Sequence, residues 1–187
     1  MEKKKVFVIT GATGSGKTTV ARYLKKKYDM FKVITHTTRP PRSNERDGVD
    51  YYFEDRHSMQ KLHLLEKVEY DHHLYGSSLE GLKRGWRDHR FDVIVLDTKG
   101  AITYKEKLGD QAIIIFLTVS HFKKLAQRLK SRGDLKQAIT SRLRSNEYER
   151  DLTLPVQLRG KAHVIVNDRW KETAAKLDQL FHQEVEG

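Results

Sequence analysis

The sequence predicts an α/β fold, a central parallel sheet flanked by helices, with two insertions that break the repeating pattern. Three observations carry this. Short β-rich apolar runs alternate along the chain with stretches whose apolar residues recur at helical spacing, as expected for parallel strands joined by crossover helices. The first run passes at once into a glycine-rich turn and then a helix. At 187 residues the chain suits one compact unit with a substantial core and leaves little room for a second full domain.

Taken in order, Val6-Phe7-Val8-Ile9-Thr10 reads as a buried strand, because it is an unbroken, mostly apolar run bounded by a turn signal. A helix is predicted from about Lys17, with Val20, Tyr23 and Leu24 on one face. Val33-Ile34-Thr35 reads as a short second strand. Residues 36–80 then turn polar and aromatic, with strand-like pieces at Tyr51-Tyr52-Phe53 and Val68-Glu69-Tyr70 around a helical piece near 56–66. The core pattern resumes with a third strand at Phe91–Asp97 and a fourth at Gln111–Val119, which holds three consecutive isoleucines. Phe122, Leu125 and Leu129 repeat at helical spacing and read as core packing. An arginine-rich segment over 131–150 is the second interruption. His163–Asn167 reads as the last strand, and Trp170, Ala174, Leu177 and Phe181 as the buried stripe of a C-terminal helix. The predicted organisation is a single domain over 1–187. Its core comprises about 1–34, 81–130 and 151–187, with an insertion over about 35–80 and a lid over about 131–150.

Composition narrows the function classes. No cysteine is present, which excludes disulfides and thiolate metal sites. No apolar run approaches the length of a membrane span or a signal-peptide core, so the expectation is a cytoplasmic protein without a membrane partner. The net charge of +11 calls for an anionic partner or a basic solvated surface. Its distribution is uneven: residues 121–150 hold nine Lys/Arg against three acids, supplying +6 of the total. Clustered arginine suits phosphate, whose oxygens match the guanidinium fork, but small nucleotides and nucleic acid would satisfy it equally.

Gly11-Ala12-Thr13-Gly14-Ser15-Gly16-Lys17-Thr18 fits G-x-x-x-x-G-K-[ST] at every position and sits between a strand and a helix, as that motif requires. Its glycines let successive N–H groups point into one anion-sized nest, and the helix that begins there, with Thr19 next along it, adds partial positive charge. Lys17 would reach the β- and γ-phosphates and the Thr18 hydroxyl would ligate Mg²⁺ brought by ATP. The chain is therefore expected to bind a nucleoside triphosphate in a P-loop NTPase fold. The motif does not name the acceptor.

A second motif runs from Thr35 to Phe53. Arg39 and Arg42 flank a proline pair that stiffens the backbone, and tyrosines able to donate to phosphate oxygens come after them. The group can hold a second phosphate dianion, or it can be a charged loop whose arginines pair with Glu45 and Asp47. The residues alone leave both open.

Thr37 to Phe53 resembles the guanylate kinase family, matching every fixed position of its signature T-T-R-x-P-R-x-x-E-x-x-G-x-D-Y-x-F. The likeness continues at Glu69, Tyr75-Gly76-Ser77, Asp97 with Gly100, the Arg128/Arg132/Arg142 segment and Val164–Asp168, in the same order along nearly the whole chain. The resemblance implies ATP and GMP as substrates, with dGMP as a further acceptor, Mg²⁺ as cofactor, and GDP and ADP as products. It implies that Arg39, Arg42, Tyr51 and Tyr75 grip the acceptor phosphate, that Thr35, Glu69, Ser77 and Asp97 face the guanine, that Arg128, Arg132 and Arg142 close over the transferring group, and that Asn167 lies near the adenine. Lys17, Arg39 and these three arginines, from the lid and the hinge beside it, would carry the catalytic charge.

Three departures from the family pattern stand out. Val95 replaces the first acid of an acid-x-acid pair, and Asp97, ending an apolar run, could serve either guanine or the water shell of Mg²⁺. The stretch from Glu69 to Tyr75 is short and is filled by Asp71-His72-His73, read as solvated turn residues because adjacent histidines in a short loop rarely share a metal. Thr35 stands where serine is common, keeping the hydroxyl. Alternative readings are a kinase for another monophosphate or phosphorylated small molecule, a non-catalytic binding domain, and an ATPase acting on nucleic acid. The intact Lys17 and Thr18 speak against the second, and nothing in the Arg39–Tyr51 motif calls for the third. Sequence leaves monomer and homodimer both open.

Overall fold

Among residues 4–131 and 136–186, which the computed structural model describes, nine strands form two sheets. The chain runs β1 (Lys5–Thr10), α1 (Lys17–Tyr28), β2 (Phe31–Lys32), β3 (Thr35–Thr37), β4 (Tyr51–Phe53), α2 (Arg56–Gln60), β5 (Leu64–Tyr70), β6 (His73–Ser78) and α3 (Leu79–Asp88). It continues through β7 (Phe91–Val95), α4 (Thr98–Leu108), β8 (Ala112–Thr118), α5 (Lys123–Ser131), α6 (Lys136–Leu143), α7 (Asn146–Asp151), β9 (Ala162–Val166) and α8 (Trp170–Glu186).

The larger sheet has the order β2-β7-β1-β8-β9, and every pairing in it is parallel. Helices cover both faces, which is why β1 is apolar at nearly every position and not at every second one. Phe7 and Ile9 point to one side, into a core with Leu24 of α1 and Leu177 of α8. Val6 and Val8 point to the other, packing with Leu82 of α3, Tyr104 of α4 and Ile114. Each such side chain removed from water contributes about 1.5–3 kcal/mol. From β1 the chain steps to the edge at β2, returns to β7, then crosses past β1 to β8. That reversal opens a crevice at the carboxyl ends of the strands, where ligands of such sheets bind.

The smaller sheet, β4-β3-β6-β5, is built from residues between 35 and 78. Here the sequence reading needs correction. The strand expected at 33–35 is divided: β2 ends at Lys32, Val33 still donates to the Val93 carbonyl at 3.0 Å, and Thr35 already belongs to the second sheet. The helix expected over 56–66 stops at Gln60, and β5 begins four residues later. Asp55 and Ser58 cap α2 reciprocally at its start, while the alternating burial of Glu66 and Val68 makes the later part of that segment a strand. The third core strand ends at Val95, because Asp97 leaves the ladder to cap α4. Phe122 and Trp170, expected in the core, are 48% and 42% exposed; Phe122 precedes α5, and Trp170 lies edge-on against Tyr23 with centroids 5.1 Å apart. No helix among the described residues is long and apolar enough to cross a membrane.

Candidate active site

β1 delivers the chain into the phosphate-binding loop, whose conformation depends on two glycines in particular. Gly11 has φ +127°, and a Cβ there would come within 2.2 Å of the Leu117 carbonyl oxygen. Gly16, with φ +101°, caps α1, and a Cβ there would strike the Asn167 amide nitrogen at 2.3 Å. The turn closes through Ser15 N–H donating to Ala12 O at 3.1 Å. Thr13, Gly14, Gly16, Lys17, Thr18 and Thr19 line a cleft of about 350 Å³, while Gly11, Ala12 and Ser15 are buried behind it. The Lys17 ammonium lies across the loop, donating to the Gly11 and Ala12 carbonyls at 2.6 and 3.0 Å.

Asn167 was expected beside the adenine. In the structure its side chain braces the loop from behind: the amide donates to Ser15 O at 2.8 Å and accepts from the Thr173 hydroxyl at 2.9 Å. Both ends of the amide are thus engaged with protein, and the residue does not line the cleft. Arg128 of α5 does line it, reaching Asn167 O at 2.7 Å and Gly14 O at 3.4 Å. Arg132 lies outside the described residues; Arg142 falls within α6, but its side chain is likewise outside them.

Across the cleft stand Thr35, Arg39, Arg42, Tyr51 and Tyr75. Strand register assembles them: Thr35 is opposite Tyr51 in the parallel β3–β4 pair, and Thr37 opposite Tyr75 in the antiparallel β3–β6 pair. Glu45 holds both arginines, taking Arg39 Nη2 at 2.9 and 3.0 Å and Arg42 Nη1 at 2.9 Å, with the Arg42 N–H at 2.8 Å. Burial alone would push the Glu45 carboxyl up; the Arg42 N–H and the two guanidinium groups outweigh it and hold it below the usual range. Arg39 also lies over the Tyr51 ring, 5.4 Å from its centroid. The pairing with Glu45 and the lining of the cleft coexist, so the two readings of this motif merge. Asp47 pairs with neither arginine and accepts the Phe53 N–H at 2.9 Å.

The carboxylate at the far end is not the one expected. Glu69 sits on the exposed face of β5 with Lys67, outside the cleft. Glu66, three residues earlier, shares the inward face with Val68, is 4% exposed and lines the cleft. Neither of its carboxylate oxygens meets a donor at hydrogen-bonding distance and angle. Burial, reinforced by Asp97, pushes its carboxyl up to about 8, and Ser77, its register partner, offsets this only in part. Ser77 is fully buried behind the lining, its hydroxyl 2.8 Å from that of Tyr104. Asp97 lines the cleft and caps α4, taking the Gly100 N–H at 2.7 Å on one oxygen and Arg150 Nη2 at 2.6 Å on the other. Burial and the neighbouring Asp151 raise its carboxyl, against the pull of Gly100 and Arg150.

Sequence reasoning missed Glu66, Tyr70 and Asp151, which also line the cleft, and Arg150. The signal for Glu66 was present: Val68 marks the inward face of a strand, and a residue two before it shares that face. Asp71 and His72 both have positive φ (50° and 64°), forming the two-residue turn between β5 and β6, in keeping with a solvated turn. The whole is a cleft with cationic, N–H-rich walls suited to two phosphate groups, and an acidic, partly desolvated end suited to a ligand that donates hydrogen bonds.

A family model described as guanylate kinase matches residues 3–184. A guanylate kinase of Thermus thermophilus is 36% identical over 177 residues, covering 91% of this chain and 77% of that protein. That of Neisseria gonorrhoeae is 34% identical over 173 residues, covering 89% and 81%. The crystal structure of guanylate kinase from Anaplasma phagocytophilum shares the fold, with a TM-score of 0.73 at 22% identity, over 100% of this chain and 89% of that one.

Proposed function

The chain belongs to the guanylate kinase family, and on that premise we propose that it transfers the γ-phosphoryl group of ATP to GMP, giving GDP and ADP. The observation that carries the acceptor is Glu66: a carboxylate that lines the cleft, is almost wholly buried, and has neither oxygen meeting a donor at hydrogen-bonding distance and angle among the described residues. Guanine offers two adjacent donors, N1–H and the N2 amino group, and an ionised carboxylate accepts both. Adenine offers an acceptor and a C–H along that edge, which would leave Glu66 desolvated and unpaired. Burial holds the carboxyl high, and guanine's two donors would draw it down on binding.

The remaining residues divide between the two phosphates. The loop N–H groups and Lys17 hold the β- and γ-phosphates of ATP; Arg39, Arg42, Tyr51 and Tyr75 hold the acceptor's phosphate with its oxygen directed at the γ-phosphorus. A bond forms from that oxygen to phosphorus as the bond to the β–γ bridging oxygen breaks, and ADP leaves. Arg128, with Arg132 and Arg142 of the lid, would neutralise the charge that spreads over the transferring group. Positioning supplies most of the rate, and no protein group need act as general base. Mg²⁺ suits the ATP side, because it takes one or two protein oxygens together with substrate phosphates, and the Thr18 hydroxyl lines the cleft there. Bound so, it would neutralise phosphate charge. Asp97 is committed to Gly100 and Arg150, which favours its serving the guanine end over the metal.

We read residues 35–80 as the acceptor-binding insertion and 131–150 as a lid whose closure excludes water and so suppresses ATP hydrolysis. The substrates fit a cytoplasmic address. An ADP-release assay across GMP, dGMP, AMP, UMP and CMP tests the reading. GMP is expected to be strongly preferred, and AMP turnover equal to that of GMP would overturn it.

A further inference from the structure

Arg150 joins α7 to the start of α4, where Asp97 and Thr98 lie. It lies on α7, the short helix after α6, and reaches back to Asp97, which lines the cleft with Glu66. Its Nη2 meets Asp97 at 2.6 Å; its Nε meets Asp151 at 2.9 Å and the Thr98 hydroxyl at 3.1 Å. Thr98 and Asp151 are themselves hydrogen-bonded and buried, so the guanidinium rests in a fixed frame. Two residues earlier on the same helix Tyr148 is buried in a cluster with Ala12 of the phosphate-binding loop and Leu125 of α5. One short helix therefore touches both halves of the cleft, the ATP side through Tyr148 and the base side through Arg150.

The contact also bears on Val95, which replaces the first acid of the family's pair. Val95 and Asp151 both line the cleft, so two carboxylates, Asp97 and Asp151, again stand at this end, but they come from different elements. Two partly desolvated acids beside Glu66 would repel one another without a cation between them. Arg150 is that cation.

We propose that Arg150 is a positioning residue for the acceptor base: it fixes Asp97 for guanine recognition and supplies the counter-charge that lets Asp97 and Asp151 stand together at the base end of the cleft. The inference rests on the reading of this site as a GMP-binding cleft. With Arg150 absent, Asp97 keeps its Gly100 contact but loses the partner on its second oxygen, and both Asp97 and Asp151 lose their shared counter-charge. The consequence falls on the acceptor, because no Arg150 contact reaches the phosphate-binding loop.

The test compares Arg150→Met and Arg150→Lys with the unaltered protein by steady-state kinetics, varying GMP and ATP separately, with thermal melting to establish that each variant is folded. Arg150→Met is expected to raise the KM for GMP by about tenfold or more while the KM for ATP changes less than about twofold. Arg150→Lys, which restores one charge to Asp97, is expected to recover part of the loss. A KM for GMP unchanged in Arg150→Met would overturn the proposal. So would an equal rise in both KM values, which would mark a general effect on the fold or on closure. Should Arg150→Met fail to fold, Arg150→Lys decides alone: it overturns the proposal if its two KM values move together, and supports it if only that for GMP rises. Turnover of GMP by the unaltered protein, measured first, stands or falls with the reading of the site; the variant-to-parent ratios bear on Arg150.

Discussion

Replacing Glu66 by Gln changes one oxygen of a buried carboxylate into an amino group and removes its charge, with almost no change in volume. In the parent, guanine's two donors would meet two acceptors. In Glu66→Gln one donor keeps an acceptor while the other faces an N–H₂ group. A hydrogen bond to a charged partner contributes about 1.5–3 kcal/mol, and a donor left unpaired in a site as closed as this one costs about 1–3 kcal/mol more. Glu66 is 4% exposed, so water offers little relief. Even the lower sum, about 2.5 kcal/mol, predicts a loss of roughly 50- to 100-fold in kcat/KM for GMP, since each 1.4 kcal/mol is tenfold. AMP, which presents an acceptor to the new amino group, is expected to improve, so the GMP/AMP ratio falls by more than GMP alone. Steady-state kinetics on both acceptors, with ATP saturating, reads this directly. Glu69→Gln is the internal control: Glu69 is exposed and outside the cleft, and its replacement is expected to leave both acceptors unaffected. A Glu66→Gln variant within twofold of the parent on GMP, or a Glu69→Gln variant that loses GMP, would refute the assignment.

Other outcomes arise from the same structure. Lys17→Ala is expected to lower kcat by about 10²–10³ with the fold intact, measured by ADP release and circular dichroism, because it removes the ammonium that rests on the loop carbonyls and would turn to the transferring group when ATP binds. Glu45→Gln loosens Arg39 and Arg42 together and is expected to raise the KM for GMP by about tenfold with little change for ATP, read from initial rates. Asp92 is fully buried on β7 against Gly85, without a hydrogen-bond partner, and burial pushes its carboxyl up to about 8. Its folded pKa thus exceeds its unfolded value of about 4, so the folded state holds an extra proton between these values and loses stability as pH rises through them. Asp92→Asn is expected to match the parent in thermal melting near pH 4 and to gain progressively up to pH 8–9; a difference independent of pH would contradict this.

The core sheet was legible in the sequence because a strand covered on both faces must be apolar almost throughout, as β1 and β8 are, and few other structures require that pattern. The phosphate-binding loop was legible because its glycines have no substitute at Gly11 and Gly16. The second sheet was not. Apart from the short, buried β3, its strands are only partly buried, and β5 carries an acid on its inner face, where Val68 two residues on is a weak sign that the position points inward. The choice between Glu66 and Glu69 turns on which face of that strand looks into the cleft, a one-residue matter of register that composition does not encode. Asn167 and Arg150 were hidden for a different reason. Each acts through contacts more than fifty residues away in sequence, Asn167 with Ser15 and Arg150 with Asp97, and no local pattern marks such pairs.

The most direct measurement of the central claim is a competition in one tube: equimolar GMP and AMP, limiting ATP labelled at the γ-phosphate, and separation of the labelled diphosphates. The account predicts label in GDP over label in ADP by at least about a hundredfold, the discrimination available when a buried acceptor is paired by one base and stranded by the other. Equal label in the two products would contradict it.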